Sequence, residues 1–362
     1  MRKGAVGAVL VAAMVTAGCG GATTPSAVVF GRIDLPPGVE AVTLTDFGNS
    51  LLVGTRKDEH PGLYRRDGGG ALTEVPVKGT TPYGLLARWT AIATDGKAIV
   101  AVGGERGGAH GNVRWSVWDG DATGLTERRQ GFSTFGGYGA GDLVGTAITP
   151  SGPVVVGTWE SKDAGFDVAT WTPEPGGEGY WARGESETEL RSSATALTFP
   201  LAATRLGEGL LAVGWQAAQG DEQAVVWRSR TGTRDWTRTV LSSGTAMAVH
   251  CVGESCAVSG RSGGKLTIWR LAADGWHPLP GVPDVPVGDH DVVAPPIEVD
   301  GALVQVVWDG AKVRVARFAD GQWGVRDVDG PSGPVSAASL VGTEVQVIAG
   351  GALWRVDAGA LR

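Results

Sequence analysis

The chain has 362 residues, 59 of them glycine, with 42% hydrophobic residues and a formal net charge of −7. So much apolar surface excludes a disordered tract, and glycines without a three-residue period exclude collagen. An acidic chain without a run of Lys and Arg is a poor electrostatic binder of nucleic acid, and the same argument weighs against polybasic docking on anionic lipid.

The chain opens on MRKGAVGAVLVAAMVTAGC. Arg2 and Lys3 precede an apolar run, Gly4 to Val15, that is too short to cross a bilayer as a helix. Small residues Thr16, Ala17 and Gly18 then lead to Cys19. The segment resembles a bacterial lipoprotein signal. The resemblance implies cleavage of residues 1–18 and lipid on the thiol and new amino group of Cys19. An ordinary secretory peptide is the plainer alternative. Residues 19–26, ending in GGATTPS, read as a flexible tether after the lipidated cysteine.

From residue 27 to 362 one pattern recurs, and it reads as a single domain. Short apolar runs end in or near glycine: LLVG from Leu51, IVAVG from Ile99, VVVG from Val154, LLAVG from Leu210, CAVSG from Cys256, LVQVV from Leu303 and VQVIAG from Val345. They stand about 50 residues apart, the period of a propeller blade. Another apolar segment precedes each of them with a turn between, as at Ala41–Leu44, Thr90–Ala93 and Ala246–His250. A third run follows and ends in or near an aromatic: Tyr64, Trp118, Trp171, Trp227, Trp269, Phe318 and Trp354. A fourth, more polar run often starts at a second aromatic, such as Trp181, Trp236, Trp276 or Trp323.

Four short strands per unit and seven units predict an all-β fold: a seven-bladed β-propeller of four-stranded antiparallel blades. A helical apolar period is missing outside the leader, and the best helix candidate, Glu185–Ala196, is polar with no clean stripe. Only VDAGALR follows Trp354, whereas AVVFGRIDL (Ala27–Leu35) stands before the first full unit. The N-terminal strand is therefore expected to complete the seventh blade and close the ring, which removes an exposed sheet edge. On these repeats the chain resembles the WD40, Kelch and sialidase-like (BNR-repeat) propellers, and SRTGTRDW (Ser229–Trp236) resembles a degenerate Asp-box turn.

Cys251 and Cys256 flank a turn centred on Gly253 and Glu254. In an oxidising compartment this pair is expected to form a disulfide that staples the hairpin; metal binding is the rival reading.

Chemistry is sought in the loops of one face. In a propeller the turns between second and third strands share a face with the connections between blades, and long loops there carry function. Phe132, Phe135 and Tyr138 lie in one inter-blade loop, and Trp159, Trp215 and Trp308 each follow a second strand. Exposed aromatics there would stack on sugar rings or anchor a protein; alternatively they pack beneath their own loops. Arg261 lies near the same loops. Asp289, His290 and Asp291 form the most suggestive polar cluster, fit for a cation or for acid–base work, or simply for a turn. The five histidines keep no ligand spacing. DGDATG (Asp119–Gly124) has Gln130 where a calcium loop needs Glu, and GYGAG (Gly137–Gly141) lacks the strand-then-helix context of a phosphate loop. No metal, cofactor or catalytic residue is assigned, and whether the chain is an enzyme stays open.

These observations predict an extracytoplasmic, monomeric scaffold, held by lipid to the bacterial cell membrane, that binds a protein or cell-wall glycan without chemistry. A sialidase-like, glycan-cleaving hydrolase on the same scaffold is the alternative.

Overall fold

The computed structural model describes residues 1, 27–107, 111–176 and 179–362. Cys19, its leader after Met1, its tether and His110 lie outside the described residues.

The described chain folds as seven antiparallel sheets in sequence order, each with its first strand innermost. Blade four shows the plan: Ala196–Leu206, Gly209–Ala218, Asp221–Ser229 and Trp236–Ser243, joined by tight turns and paired side by side. Blades one, three and five repeat it. The ring closes as the sequence predicts: Gly31–Ile33 pairs antiparallel with Ala352–Asp357, Ile33 opposite Leu353, and so supplies the outer strand of blade seven. Two further outer strands are not foreshadowed. Val28–Val29 adds in parallel to blade six, and Val77–Lys78 adds in parallel to blade two. Blade six departs from the plan at its inner edge, where only Ile297–Val299 is strand and a long connection from Leu279 takes the remaining space.

Apolar side chains fill the seven interfaces between adjacent blades rather than one central core. Trp118, Trp227 and Trp269 are fully buried, and Trp171 is nearly so, each wedged at the widening outer part of an interface. Ile33 joins Leu51, Val53, Ile348 and Leu353 between blades seven and one, so the closing strand is held by burial as well as by its ladder.

The recurring glycine at the end of the second run has a steric cause. The inner strand carries a register shift in six blades: Ala41/Thr43, Trp89/Ala91, Leu143/Gly145, Pro200/Ala202, Ala246/Ala248 and Val335/Ala337. Such a bulge bends the strand and pushes its backbone toward the partner. Gly103, Gly157, Gly214 and Gly260 lie opposite the shift, where a Cβ would strike the carbonyl oxygens of Arg88, Asp142, Phe199 and Thr245. Gly54 meets the Thr43 side chain in the same way. Blade seven has Ala349 at the equivalent place, and blade six, whose inner strand is short, has Val307 and no shift.

The segment 185–196, the sequence's best helix candidate, is irregular apart from a single 3-10 turn, Thr188–Leu190. The α-helix among the described residues is instead the short Pro82–Leu86, whose N-cap Thr81 accepts from the Gly84 amide. No helix among the described residues is long and apolar enough to cross a membrane.

Candidate functional site

Turns between second and third strands, together with the inter-blade connections, define what is called here the upper face. Strand direction places all nine candidate binding residues on it, but their exposure divides them. Phe132 and Tyr138 stand 72% and 99% exposed. Phe135 is buried: its ring lies 5.6 Å from that of Trp171 and belongs to the interface of blades two and three. It therefore fastens its loop and is not available to a partner. The other aromatics are half-buried. Trp159 carries the Arg183 guanidinium 4.1 Å from its ring centroid and is closely approached by Gly139. Trp215 stacks on Phe199 at 4.2 Å, and Trp308 packs against the interface of blades six and seven. Packing beneath their own loops is what these three indoles do.

The loop that presents Phe132 and Tyr138 is tied down at several points. Trp171 Nε1 donates to the Thr134 carbonyl at 2.9 Å, Gln130 Nε2 donates to the Gly179 carbonyl at 3.0 Å, and Gln130 Oε1 accepts from the Trp181 amide at 3.0 Å. A loop fixed in this way loses little conformational entropy on binding. Beside it lies a hollow of about 340 Å³ lined by Tyr83, Arg114, Trp115 and Phe132. Arg114 sits over the Phe132 ring, 5.5 Å from its centroid. Trp115 is fixed by an Nε1 bond to the Gly141 carbonyl at 3.1 Å.

Glu127, a buried carboxylate, underpins the floor of this hollow. It accepts from the Thr80 amide at 2.5 Å, the Thr81 amide at 2.8 Å, the Thr81 hydroxyl at 2.7 Å and the Ser116 hydroxyl at 2.7 Å. Burial pushes this carboxyl up, but the hydrogen bonds from Thr81, Thr80 and Ser116 together outweigh it and hold Glu127 below its ordinary value. The group is therefore an ionised anchor for the connection that carries Tyr83. The sequence offers no motif for Glu127, Tyr83, Arg114 or Trp115, because separate strands and a loop bring them together.

The Asp289–His290–Asp291 cluster does not converge. Asp289 pairs with Arg261, which also holds Glu222 at 2.9 Å, and Asp291 accepts from the Gly288 amide at 2.6 Å within its own turn. His290 is exposed. Among the described residues no three His, Cys, Asp or Glu side chains gather to hold a metal ion.

The central channel encloses about 970 Å³, and Asp46 is the single carboxylate among the described residues that line it. Asp46 accepts from Ser339 Oγ across blades. His250 lines the same channel; burial, opposed by the carboxylates of Asp46 and Glu298, holds its imidazole below the ordinary value. The usual glycosidase arrangement places two carboxyl groups astride the scissile bond. Cys251 and Cys256 pair across their hairpin and form the disulfide that the sequence predicts.

No family profile matches this chain, and no curated relative does. Solved structures do resemble it. A puromycin-hydrolyzing peptidase from Mycobacterium tuberculosis superposes with a TM-score of 0.55 at 16% identity, over 93% of this chain and 56% of that one. This chain thus spans little more than half of that peptidase. Virginiamycin B lyase from Staphylococcus aureus superposes at 0.51 with 13% identity, over 90% and 97% of the two chains. A Trypanosoma rangeli sialidase superposes at 0.48 with 11% identity, over 89% of this chain and 60% of that one. The likenesses to the peptidase and the lyase bear on the propeller fold alone.

Proposed function

We propose that this protein is an exported, lipid-anchored propeller that works as a monomeric, non-enzymatic binding scaffold outside the cytoplasmic membrane. Its upper face, at blades two and three, takes a protein or a cell-wall glycan. The observation that carries this reading is the pair Phe132 and Tyr138, both exposed on a loop that Trp171 and Trp181 pin by hydrogen bonds. Exposing large aromatics on a fixed loop costs hydrophobic free energy in the unbound protein, and binding recovers it. Trp159, Trp215 and Trp308 serve as supports of the face, and Arg261 and Asp289 brace the connection that carries His290.

The anchor and the face are compatible. Lipid on Cys19 would tether the chain just before Val28–Val29, on the outer rim of blade six. In a seven-membered ring that rim lies opposite blades two and three, so a ring held by one edge leaves the proposed face clear of the bilayer. The cross-strand disulfide agrees with an oxidising compartment.

The test is capture of partners from detergent-solubilised envelope on the immobilised protein. Replacing Phe132 and Tyr138 together by alanine should abolish retention of whatever the parent retains. Undiminished retention would remove the proposed face.

A further inference from the structure

The hollow beside Phe132 has a neighbour. Trp115 also walls a second hollow of about 440 Å³, lined on its far side by Arg56, Arg88 and Arg106. Together the two hollows gather five arginines, counting Arg114 and Arg128, from strand ends and turns far apart in sequence. Among the described residues only two carboxylates line them. Glu127 is buried and consumed by its hydrogen bonds, and Glu105 faces Arg56 at 3.4 Å. Arg128 pairs with Asp119. Arg88, Arg106 and Arg114 are left with no carboxylate partner among the described residues: Arg106 reaches the Gly111 carbonyl at 3.4 Å, and Arg114 covers Phe132. An otherwise acidic chain of net charge −7 thus carries a local basic recess with aromatic walls.

We infer that the paired hollows bind a short acidic oligosaccharide. This rests on the reading of the upper face as a binding surface and names its ligand class. The open face of Phe132 suits a sugar ring, since an aromatic face stacks on the apolar side of a pyranose. The guanidiniums of Arg88, Arg106 and Arg114 take anionic groups spaced along the chain, as planar forks suited to carboxylate or phosphate. Both hollows fall at the lower end of the size range of small-ligand clefts, which fits a few sugar units. A long nucleic acid would run beyond the recess along a chain whose net charge of −7 disfavours phosphates.

Calorimetric titration of the full chain tests this with four probes: oligogalacturonate, an oligosaccharide whose sugars are joined through phosphodiesters, neutral cello-oligosaccharide and a single-stranded oligonucleotide. Binding of either acidic sugar probe supports the inference, and the one that binds identifies carboxylate or phosphodiester as the charge. The triple variant R88Q/R106Q/R114Q should then lose at least ten-fold in affinity while keeping its melting temperature. Lys97→Gln, on the lower face of the same blade, should bind as the parent does. Raising salt should weaken the parent several-fold and the triple variant less. Neutral sugar bound as tightly as the acidic probes would overturn the acidic inference and leave the binding face standing. The inference also fails if the oligonucleotide binds best, if no probe binds, or if the triple variant binds like the parent.

Discussion

Arg32 of the N-terminal strand is paired across the sheet with Trp354 of the last full strand, its guanidinium 6.0 Å from the indole centroid. Two ends of the chain thus share one blade, and the ring cannot open without breaking that pairing. Beneath it, Ile33 is buried between blades seven and one.

Ile33→Ala should therefore destabilise the whole ring by about 2–3 kcal/mol, the usual cost of emptying a buried aliphatic site. Denaturant melts would show a lower midpoint with an unchanged slope. A split transition would instead mean that blade seven unfolds by itself.

Gly214 tests the bulge argument. Its missing Cβ is space that the Phe199 carbonyl occupies, so Gly214→Ala should cost about 3 kcal/mol through forced backbone movement. Gly324, in the outer strand of blade six, meets nothing within 4 Å, and Gly324→Ala should change stability by less than about 0.5 kcal/mol. Equal effects at the two sites would refute the steric account.

Glu127 makes stability depend on acid. Its carboxyl is lowered in the folded protein from an ordinary value of 4.5. Its contribution is fully present above that value and disappears as pH falls below it, through the folded value. Thermal melts from pH 6 downward should show an acid-side loss of stability that is smaller in Glu127→Gln. At neutral pH the variant should be less stable by about 2 kcal/mol, because an amide nitrogen cannot accept from Thr80 and Thr81.

The disulfide closes a short loop, so its effect is modest. Replacing Cys251 and Cys256 by serine should cost about 2 kcal/mol by loop-closure entropy, and lower the melting temperature by about 3 °C in a chain of this size. A loss of folding would show that the disulfide does far more than staple one hairpin.

The scaffold was legible because its determinants are local and repeated. LLAVG from Leu210 carries the second strand and its steric gap in one pentapeptide, and Trp227 marks the outer wedge. The closing strand at Gly31–Ile33 was legible from a missing strand at the other end. Val28–Val29 and Val77–Lys78 were not, because two-residue parallel additions leave no alternation to read. Exposure was the least legible property. Phe132 and Phe135 are three residues apart in one glycine-rich loop, and only the position of Trp171 decides which of them is buried. The basic recess was hidden for a related reason: Arg56, Arg88, Arg106 and Arg114 form no run in the sequence and meet only when the strand ends do.

The most direct measurement of the central claim is site-specific photocrosslinking on intact envelopes. A crosslinking side chain would replace Tyr138 on the upper face or Asn49 in a lower-face turn, both exposed positions. The account predicts a discrete adduct with envelope protein or glycan from position 138 and none from position 49. Adducts from position 49 alone, or equally from both, would contradict it.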